Sequence, residues 1–245
     1  MKDEAYLAYI RETSSWLHEG RKELFIKILQ RTPLLTKNPE ILEIGAGMGQ
    51  NIKILSKFGV VDVLEINPYA VAMLREMSSI RNVIDKHILS PLKNKYDIIC
   101  AFDVIEHLKD DKASVEWIYS NLKLGGIFIA TVPAYQWFFS SHDVSLEHYR
   151  RYNSKSFKRL LPNNSRMILD GYFNMILFPF VLISRSIWDI KKRFIGERIS
   201  EKQKVPQNKI INKIFYSVLK FESLLISAKL RLPFGLTYYV CLKKI

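Results

Sequence analysis

Cysteine is scarce in this chain, and the features of a secreted protein are missing. Only two cysteines occur, Cys100 and Cys241, in apolar surroundings and without the spacing of metal ligands. This excludes a disulfide framework and a cysteine zinc site, and it is typical of a reducing, cytoplasmic compartment. The N-terminal residues MKDEAYLAYIRE are charged and contain no apolar core, so we expect no signal peptide.

Acidic residues are also in short supply. The chain has 24 Asp and Glu against 37 Lys and Arg, which gives a formal net charge of +13. An excess of this size points to an anionic partner: a nucleic acid, a phosphorylated or otherwise anionic substrate, or an acidic membrane surface. The charge alone does not choose among them.

No apolar run is long enough to cross a membrane, which takes about 20 apolar residues. The most apolar stretch, 171–204, is interrupted by Pro179 and Arg185 and then becomes strongly basic. Apolar residues beside basic ones are typical of peripheral membrane contact. We favour the alternative in which residues 167–177 contain the sixth strand and the rest of the stretch caps a substrate pocket.

What the chain does contain is a regular alternation of apolar strands and amphipathic helices over its first 130 residues. Predicted strands cover 41–44, 60–66, 83–89, 97–102 and 127–132. Predicted helices cover 51–58, 70–77 and 111–122, and Leu124, Gly125 and Gly126 are expected to end the last of them. This alternation predicts an α/β fold with a parallel, doubly wound sheet, whose ligands bind at the carboxyl ends of the strands.

A glycine-rich loop follows the first predicted strand, in the segment ILEIGAGMGQ (41–50). Its pattern is G-x-G-x-G, with Gln50 where a dinucleotide fingerprint has its last glycine, and it lacks the Gly-Lys-Ser/Thr of a triphosphate loop. Glu43 and Glu65 would both repel a polyphosphate. Two carboxylates instead suit a ligand with a cationic amine and a ribose diol, and S-adenosylmethionine has both groups.

Four segments carry a resemblance to the class I S-adenosylmethionine-dependent methyltransferases: LEIGAGMGQ, VDVLEINPYAVAML, YDIICAFDVIEHL and LKLGGIFIATVPA. More narrowly, the segments WLHEGRKELFIKIL, HDVSLEHYRRY and LPFG resemble those of bacterial small-molecule or glycan-type methyltransferases. The resemblance implies a Rossmann-like, seven-stranded, mostly parallel sheet with an antiparallel last strand. It also implies S-adenosyl-L-methionine as cofactor.

The resemblance further implies one methyltransferase domain over 1–245. Its parts would be an N-terminal helical lid (1–36), a cofactor-binding core (37–161), a sixth strand with a helical insert facing substrate or membrane (162–230), and the last strand (231–245). Trp16–Arg21 would belong to the lid, although this segment also fits a helix packed on the sheet. A helix is predicted over 211–230 from its apolar periodicity.

Site residues follow from the same resemblance. The implied cofactor-binding residues are Glu43, Gly45, Ala46, Gly47, Gly49, Glu65, Ile66 and Asp103. Glu43 would lie near the methionine amine, Glu65 would bind the ribose hydroxyls, and Asp103 would line the methyl-transfer site. The third strand of such proteins usually ends in an acidic residue near the adenine. Only Asp85 is a candidate here, so the adenine contact stays unassigned.

Methyl transfer is mainly a matter of positioning, and it requires no metal. An oxygen acceptor needs its proton removed, and the loop SSHDVSLEHYRRY (140–152) offers His142 and His148 as candidate bases. Together with Asp103 they are the predicted catalytic residues. The predicted substrate-binding residues are Tyr135, His142, Arg150, Arg151 and Tyr152. A purely structural loop, with histidines that cap the next helix, is the alternative.

The sequence therefore predicts methyl transfer to a small molecule, most simply O-methylation of a sugar, a glycan or a lipid-linked saccharide, by a cytoplasmic enzyme. Peripheral contact with the inner face of the membrane is a further option. A nucleic-acid methyltransferase is the main alternative, but no Pro-Pro-Tyr/Phe motif follows the fourth strand and no RNA-binding module is visible. A nicotinamide-dependent reductase and an inactive S-adenosylmethionine-binding module also remain. Oligomeric state is not predicted.

Overall fold

The computed structural model describes residues 16–33, 36–184 and 208–245. Seven strands form one sheet: β1 (Glu40–Ile44), β2 (Val60–Glu65), β3 (Ile80–Asp85), β4 (Tyr96–Phe102), β5 (Leu122–Pro133), β6 (Ser165–Phe173) and β7 (Thr237–Lys244). Their order is β3-β2-β1-β4-β5-β7-β6, and β7 is antiparallel to both of its neighbours. The predicted mostly parallel sheet with an antiparallel last strand is confirmed.

Helices cover both faces of the sheet. They are α1 (Trp16–Arg31), α2 (Ile52–Leu55), α3 (Pro68–Arg75), α4 (Asp111–Asn121), α5 (Ser141–Ser145), α6 (Ser154–Lys158) and α7 (Lys209–Ser227). Short 3-10 turns follow β4 (Ile105–His107) and β5 (Gln136–Phe138), and residues 178–184 are helical. No described helix combines the length and apolarity that crossing a membrane takes.

The core is divided between the two faces. One cluster joins α1, α2, α3 and α7 to the sheet, with Leu24, Leu55, Leu74 and Leu219 fully buried. The other joins α4 and α6 to the opposite face and includes the fully buried Phe157. Strands that are covered on both sides are largely apolar, which is why residues 98–102 of β4 and 127–130 of β5 are continuous hydrophobic runs.

The N-terminal and C-terminal parts of the chain meet at α1 and α7. Gly20 lies so close to Leu219 that any side chain at position 20 would collide with it. The guanidinium of Arg31 donates a hydrogen bond of 2.6 Å to the carbonyl of Ile226. Helix α1 thus packs on α7 as well as on the sheet.

Several predicted boundaries are confirmed and several are wrong. Asn67 caps α3 by accepting hydrogen bonds from the backbone N–H groups of Tyr69 and Ala70, and Pro68 occupies the first helical position, as such a sequence predicts. The third strand starts three residues before the predicted one. The helix predicted over 111–122 ends at Asn121, so Leu124–Gly126 do not end it; they lie in β5, which begins at Leu122.

Some predictions lie outside the described residues. These are the first part of the lid (1–15) and most of the basic part of the insert (185–204). The division of the chain into lid, core, insert and last strand stays a prediction.

Candidate active site

The loop between β1 and α2 requires glycine. Gly45, Gly47 and Gly49 have φ angles of +65°, +53° and +72°, in the left-handed region that residues with a side chain rarely adopt. A Cβ at Gly45 would also stand 2.8 Å from Cγ2 of Val104, just beyond the end of β4. The loop therefore lies directly against the segment that follows β4.

Glu43 is a buried carboxylate with half of its hydrogen-bonding capacity unused. Its Oε1 accepts a hydrogen bond of 2.8 Å from the Asn51 amide, while Oε2 is buried and has no partner among the described residues. Burial, helped by the nearby charge of Glu65, raises the pKa of Glu43 to about 7. A cationic group beside Oε2 would give this oxygen a partner and would stabilise the ionised form of the buried carboxylate.

Glu65 ties the end of β2 to the glycine loop. Its Oε2 accepts a hydrogen bond of 2.9 Å from the N–H of Gly47. Its Oε1 accepts two more at 2.9 Å, from the N–H groups of Ile66 and Asn67. The carboxylate is thus fixed where β1 and β2 end side by side. Ile66 exposes its side chain next to it, and Ala46 is buried in the loop.

Gln50 belongs to the same pocket. Both polar atoms of its side-chain amide are buried, and neither has a partner in the described part of the chain. Buried amides are rarely left unpaired in a finished protein interior. The unused atoms of Glu43 and Gln50 therefore fit a polar ligand, and the glycine backbone leaves room for it; an amino-acid and ribose ligand such as S-adenosyl-L-methionine suits these residues.

Asp103 lies at the end of β4 and has an unusual backbone. Its φ is +54°, and the conformation is held by a hydrogen bond of 2.9 Å from its N–H to the carbonyl of Thr131 on β5. A non-glycine residue held in this region is often part of a functional site. Its Oδ2 forms an ion pair of 2.9 Å with Arg21 of α1, whereas Oδ1 is buried without a described partner. Through Arg21, helix α1 therefore reaches the carboxyl edge of the sheet.

The loop after β5 is organised around Asp143, which is fully buried. Its Oδ1 contacts Nδ1 of His148 at 3.0 Å and Nε of Arg151 at 2.7 Å. Its Oδ2 accepts the N–H of Ser140 at 2.9 Å. Burial alone would raise the pKa of Asp143, but the hydrogen bonds from His148 and Arg151 hold it well below its usual range. Asp143 is therefore a fixed anion that orients the His148 ring.

His148 meets two residues of the 3-10 turn after β4. Its ring lies edge-on to that of His107, with 4.5 Å between the centroids. One potential ligand atom from each of Glu106, His107 and His148 lies within 4.8 Å of the others. Burial lowers the pKa of His107 to about 4 and raises that of Glu106 well above its usual value. Both oxygens of Glu106 lack a partner in the described structure.

The two predicted bases therefore differ. The Oδ1 of Asp143 contacts the ring of His148 at 3.0 Å. His142 lies in α5, where its N–H donates to the Ser140 side chain. Glu106 and His107 were not predicted as site residues. Their only sequence signal is their place just after β4, in the run FDVIEH.

The predicted substrate-binding residues are mostly held by protein groups. Arg150 pairs with Asp111 at 2.7 Å, and Arg151 pairs with Asp143. Tyr152 is buried and its hydroxyl donates to Asp111 at 2.8 Å. These contacts give Tyr152 a structural part that the sequence did not predict, since it anchors the loop to the start of α4. All three nevertheless line a cleft of about 350 Å³, which Arg159 also borders.

Tyr135 belongs to an aromatic cluster that the sequence did not single out. Its φ is +63°, and its ring stacks on Tyr172 and Trp137 with centroid separations of 5.3 and 5.6 Å. Phe178 contacts the same rings and Phe234. The Trp137 side chain is 65% exposed. The cluster gathers residues from the ends of β5 and β6 and the approach to β7, which sequence periodicity cannot bring together.

The family model described as "Methyltransferase domain" matches residues 16–165. The plantazolicin methyltransferase BpumL, solved with a pentazolic desmethylPZN analog and SAH, is 15% identical; the alignment covers 99% of this chain and 90% of that one, with a TM-score of 0.59. The N-methyltransferase NodS from Bradyrhizobium japonicum WM9, solved with S-adenosyl-l-homocysteine, is 16% identical over 67% of this chain and 83% of that one, with a TM-score of 0.53. At these identities the likeness shows the fold. No curated protein sequence matches the chain.

Proposed function

The chain belongs to the methyltransferase domain family and is an S-adenosyl-L-methionine-dependent methyltransferase, and we propose that it methylates a hydroxyl oxygen of a small acceptor. The acceptor class that we propose is a sugar, a glycan or a lipid-linked saccharide. The observation that carries the proposal is the contact between Asp143 and His148 at the edge of the sheet where Asp103 also lies.

Residues around the glycine loop would hold the cofactor, which supplies an electrophilic methyl group. Oε2 of Glu43 is free to accept a hydrogen bond from the methionine amine. Gly45, Gly47 and Gly49 let the backbone approach the ligand closely. Glu65 lies at the ribose position, and Ala46 and Ile66 border it. Asp103 would line the methyl end of the pocket.

His148 is the proposed proton acceptor. Asp143 binds its Nδ1, so Nε2 is the ring atom that remains to face an acceptor hydroxyl. In the transfer, the acceptor oxygen gains the methyl group, the sulfonium becomes the thioether of S-adenosyl-L-homocysteine, and His148 takes the hydroxyl proton. A positioned base of this kind contributes about 10²–10⁴-fold to a rate.

Two surfaces support the proposed acceptor class. The exposed Trp137 stacks on the half-buried Tyr135 after β5, and aromatic rings of this kind suit the apolar face of a sugar ring. The cleft bordered by Arg150, Arg151 and Arg159 would accept an anionic substituent.

A lipid-linked acceptor would bring the protein to a membrane surface, and α7 offers a face for peripheral contact. Ile210, Ile214 and Phe221 follow one another along one side of α7 and expose more than half of their surface. Lys213 and Lys220 lie next to this stripe in the helix. Apolar residues flanked by lysines favour binding to anionic lipid.

The first experiment is a thermal-shift comparison of S-adenosylhomocysteine, NADH and ATP on the full chain. A ligand at 100 times its Kd stabilises the native state by roughly 2.7 kcal/mol, which gives a measurable rise in Tm. We expect a rise with S-adenosylhomocysteine alone. The second experiment measures transfer of radiolabelled methyl from S-adenosylmethionine to a panel of sugars, lipid-linked saccharides and small amines. Labelling confined to the amines would overturn the O-methylation proposal.

A further inference from the structure

We propose that Glu106, His107 and His148 bind a divalent metal ion that holds and activates the acceptor hydroxyl. One potential ligand atom of each residue lies within 4.8 Å of the other two. Ligands bound about 2.1 Å from one ion stand up to roughly 4.2 Å apart, so small side-chain rotations would close the three atoms around it. No metal is expected from the sequence, and the inference rests on the proposed O-methylation.

Glu106 is the first independent sign of a missing cation. The residue is fully buried, and neither carboxylate oxygen has a hydrogen-bond partner in the described part of the chain. An unpaired carboxylate in a protein interior is costly unless a cation or several donors compensate it. The other two members of the group are imidazoles. Two imidazoles and one carboxylate are a common ligand set for a divalent metal ion.

His148 is the second sign. Its Nδ1 contacts Oδ1 of Asp143 at 3.0 Å, so Nε2 is the nitrogen that can face the cluster. A metal-binding histidine almost always donates its other ring N–H to a carboxylate or a carbonyl, which fixes the ring. Asp143 supplies that support, and Arg151 and the Ser140 N–H hold it in turn. In this arrangement Asp143 is a positioning residue, and His148 is a ligand.

The cluster lies close to the proposed methyl end of the cofactor pocket. Glu106 and His107 are in the 3-10 turn that follows Asp103, and Val104 of the same segment packs against the glycine loop at Gly45. The ion would therefore be next to the methyl end of the cofactor pocket. With the acceptor hydroxyl bound to it, the ion lowers the pKa of that hydroxyl, whose proton leaves to water. The oxygen then attacks the methyl carbon, and the ion replaces the imidazole as the activating group.

The ligand set indicates the kind of metal. Imidazole nitrogens suit Fe²⁺ and Zn²⁺, whereas oxygen ligands suit Mg²⁺, Ca²⁺ and Mn²⁺, so a set that mixes the two ligand types also admits Mn²⁺. Two histidines and one carboxylate leave coordination positions for an acceptor oxygen and water. Mn²⁺ is the most convenient probe, because free Mn²⁺ is counted directly by electron paramagnetic resonance.

The test is a Mn²⁺ titration of the full chain after dialysis against EDTA. We expect one tightly bound ion per chain, and at least about tenfold weaker binding in Glu106→Gln, His148→Ala and Asp143→Asn. His87→Ala is the matched control, since His87 is exposed and far along the chain from the cluster. The Tm rise with S-adenosylhomocysteine verifies that each variant is folded. Absence of Mn²⁺ and Zn²⁺ binding, or equal binding in all variants, would overturn the metal site.

Activity then separates this inference from the proposed function. If the EDTA-treated chain methylates a hydroxyl acceptor at the full rate, the metal inference is wrong and the proposed O-methylation stands, with His148 as base. If Mn²⁺ binds through Glu106 and His148 but only amine acceptors are labelled, the metal site stands, but its assigned role and the proposed function fall. Activity on a hydroxyl acceptor that EDTA removes and Mn²⁺ restores supports both.

Discussion

The two halves of the active site are built in different ways. The cofactor half is local: Glu43, the three glycines and Glu65 come from one strand–loop–helix–strand unit, and Glu65 closes it through a hydrogen bond to Gly47. The acceptor half is assembled from two distant segments, the turn at Glu106–His107 and the loop at Asp143–His148. The cofactor half can be predicted from sequence because its residues lie close together in the chain. The acceptor half depends on how the turn after β4 and the loop after β5 pack against each other.

Arg21 connects the two halves. Its ion pair with Asp103 brings α1 over the carboxyl end of β4, between the glycine loop and the acceptor cluster. Phe25 of the same helix stacks on Phe102 with 3.8 Å between the ring centroids. Helix α1 is therefore held by the stacking of Phe25 on Phe102 and by the ion pair between Arg21 and Asp103. The following changes separate the contributions of the two halves, beginning with the largest expected effect.

His148→Ala is expected to reduce turnover by at least about 100-fold, because either the base or a metal ligand is lost. Binding of S-adenosylhomocysteine should stay within about threefold of the wild-type value, since the cofactor half is untouched. His142→Ala is the matched comparison and should lose less than about tenfold, because Asp143 orients His148. Steady-state rates and calorimetric Kd values check this. A larger loss in His142→Ala would return the catalytic assignment to His142.

Glu65→Ala acts on the cofactor half, and we expect it to raise the Kd for S-adenosylhomocysteine by about 10- to 100-fold. The change removes the proposed ribose contact and leaves the N–H groups of Gly47, Ile66 and Asn67 without their acceptor. Isothermal titration calorimetry measures the Kd. Glu65→Gln keeps one carbonyl oxygen, so its Kd should lie between those of the wild type and Glu65→Ala. An unchanged Kd in Glu65→Ala would refute the ribose assignment.

The pH dependence of cofactor binding tests Glu43. Its pKa of about 7 means that much of the free enzyme carries a protonated Glu43 below that pH. A cationic amine favours the ionised carboxylate, so binding releases a proton and affinity should rise with pH, by up to about tenfold per unit below pH 7. Kd values for S-adenosylhomocysteine between pH 5.5 and 7.5 check the slope. Glu43→Gln should bind more weakly and lose the slope; a slope that survives in this variant would assign it to another group.

Arg21→Ala should have the smallest effect, about a two- to fivefold rise in both the Kd for S-adenosylhomocysteine and the KM of the acceptor. The ion pair with Asp103 is partly exposed and hence screened, and α1 remains fixed by its apolar contacts. Arg21→Lys keeps the charge and is expected to restore part of the loss. A change confined to one ligand would place Arg21 in one half of the site only.

The difference between the two halves also explains which parts of the fold and the site could be predicted from the sequence. Alternating strands, the glycine pattern, the Asn67–Pro68 helix start and an acidic residue at the end of β2 follow from local chemistry, so the fold and the cofactor pocket could be predicted. The third strand could not be placed correctly, because its residues are largely solvent-exposed and its apolar signal is weak. Leu124–Gly126 were expected to end the helix, but the helix ends at Asn121 and these residues lie in β5, between its pairings at Leu122 and Ile127 with β4.

The sequence by itself determined the parallel sheet, the glycine loop and the family of the chain, because each rests on residues close together in the chain. Only the tertiary structure decided which histidine Asp143 orients, that Arg150 and Tyr152 share Asp111, and that Glu106, His107 and His148 converge. Asp143 and His148 are five residues apart, whereas the other contacts join side chains about forty residues apart. All of them depend on how the loops after β4 and β5 pack at the sheet edge. Periodicity and propensity describe neighbours along the chain and contain no information about that packing.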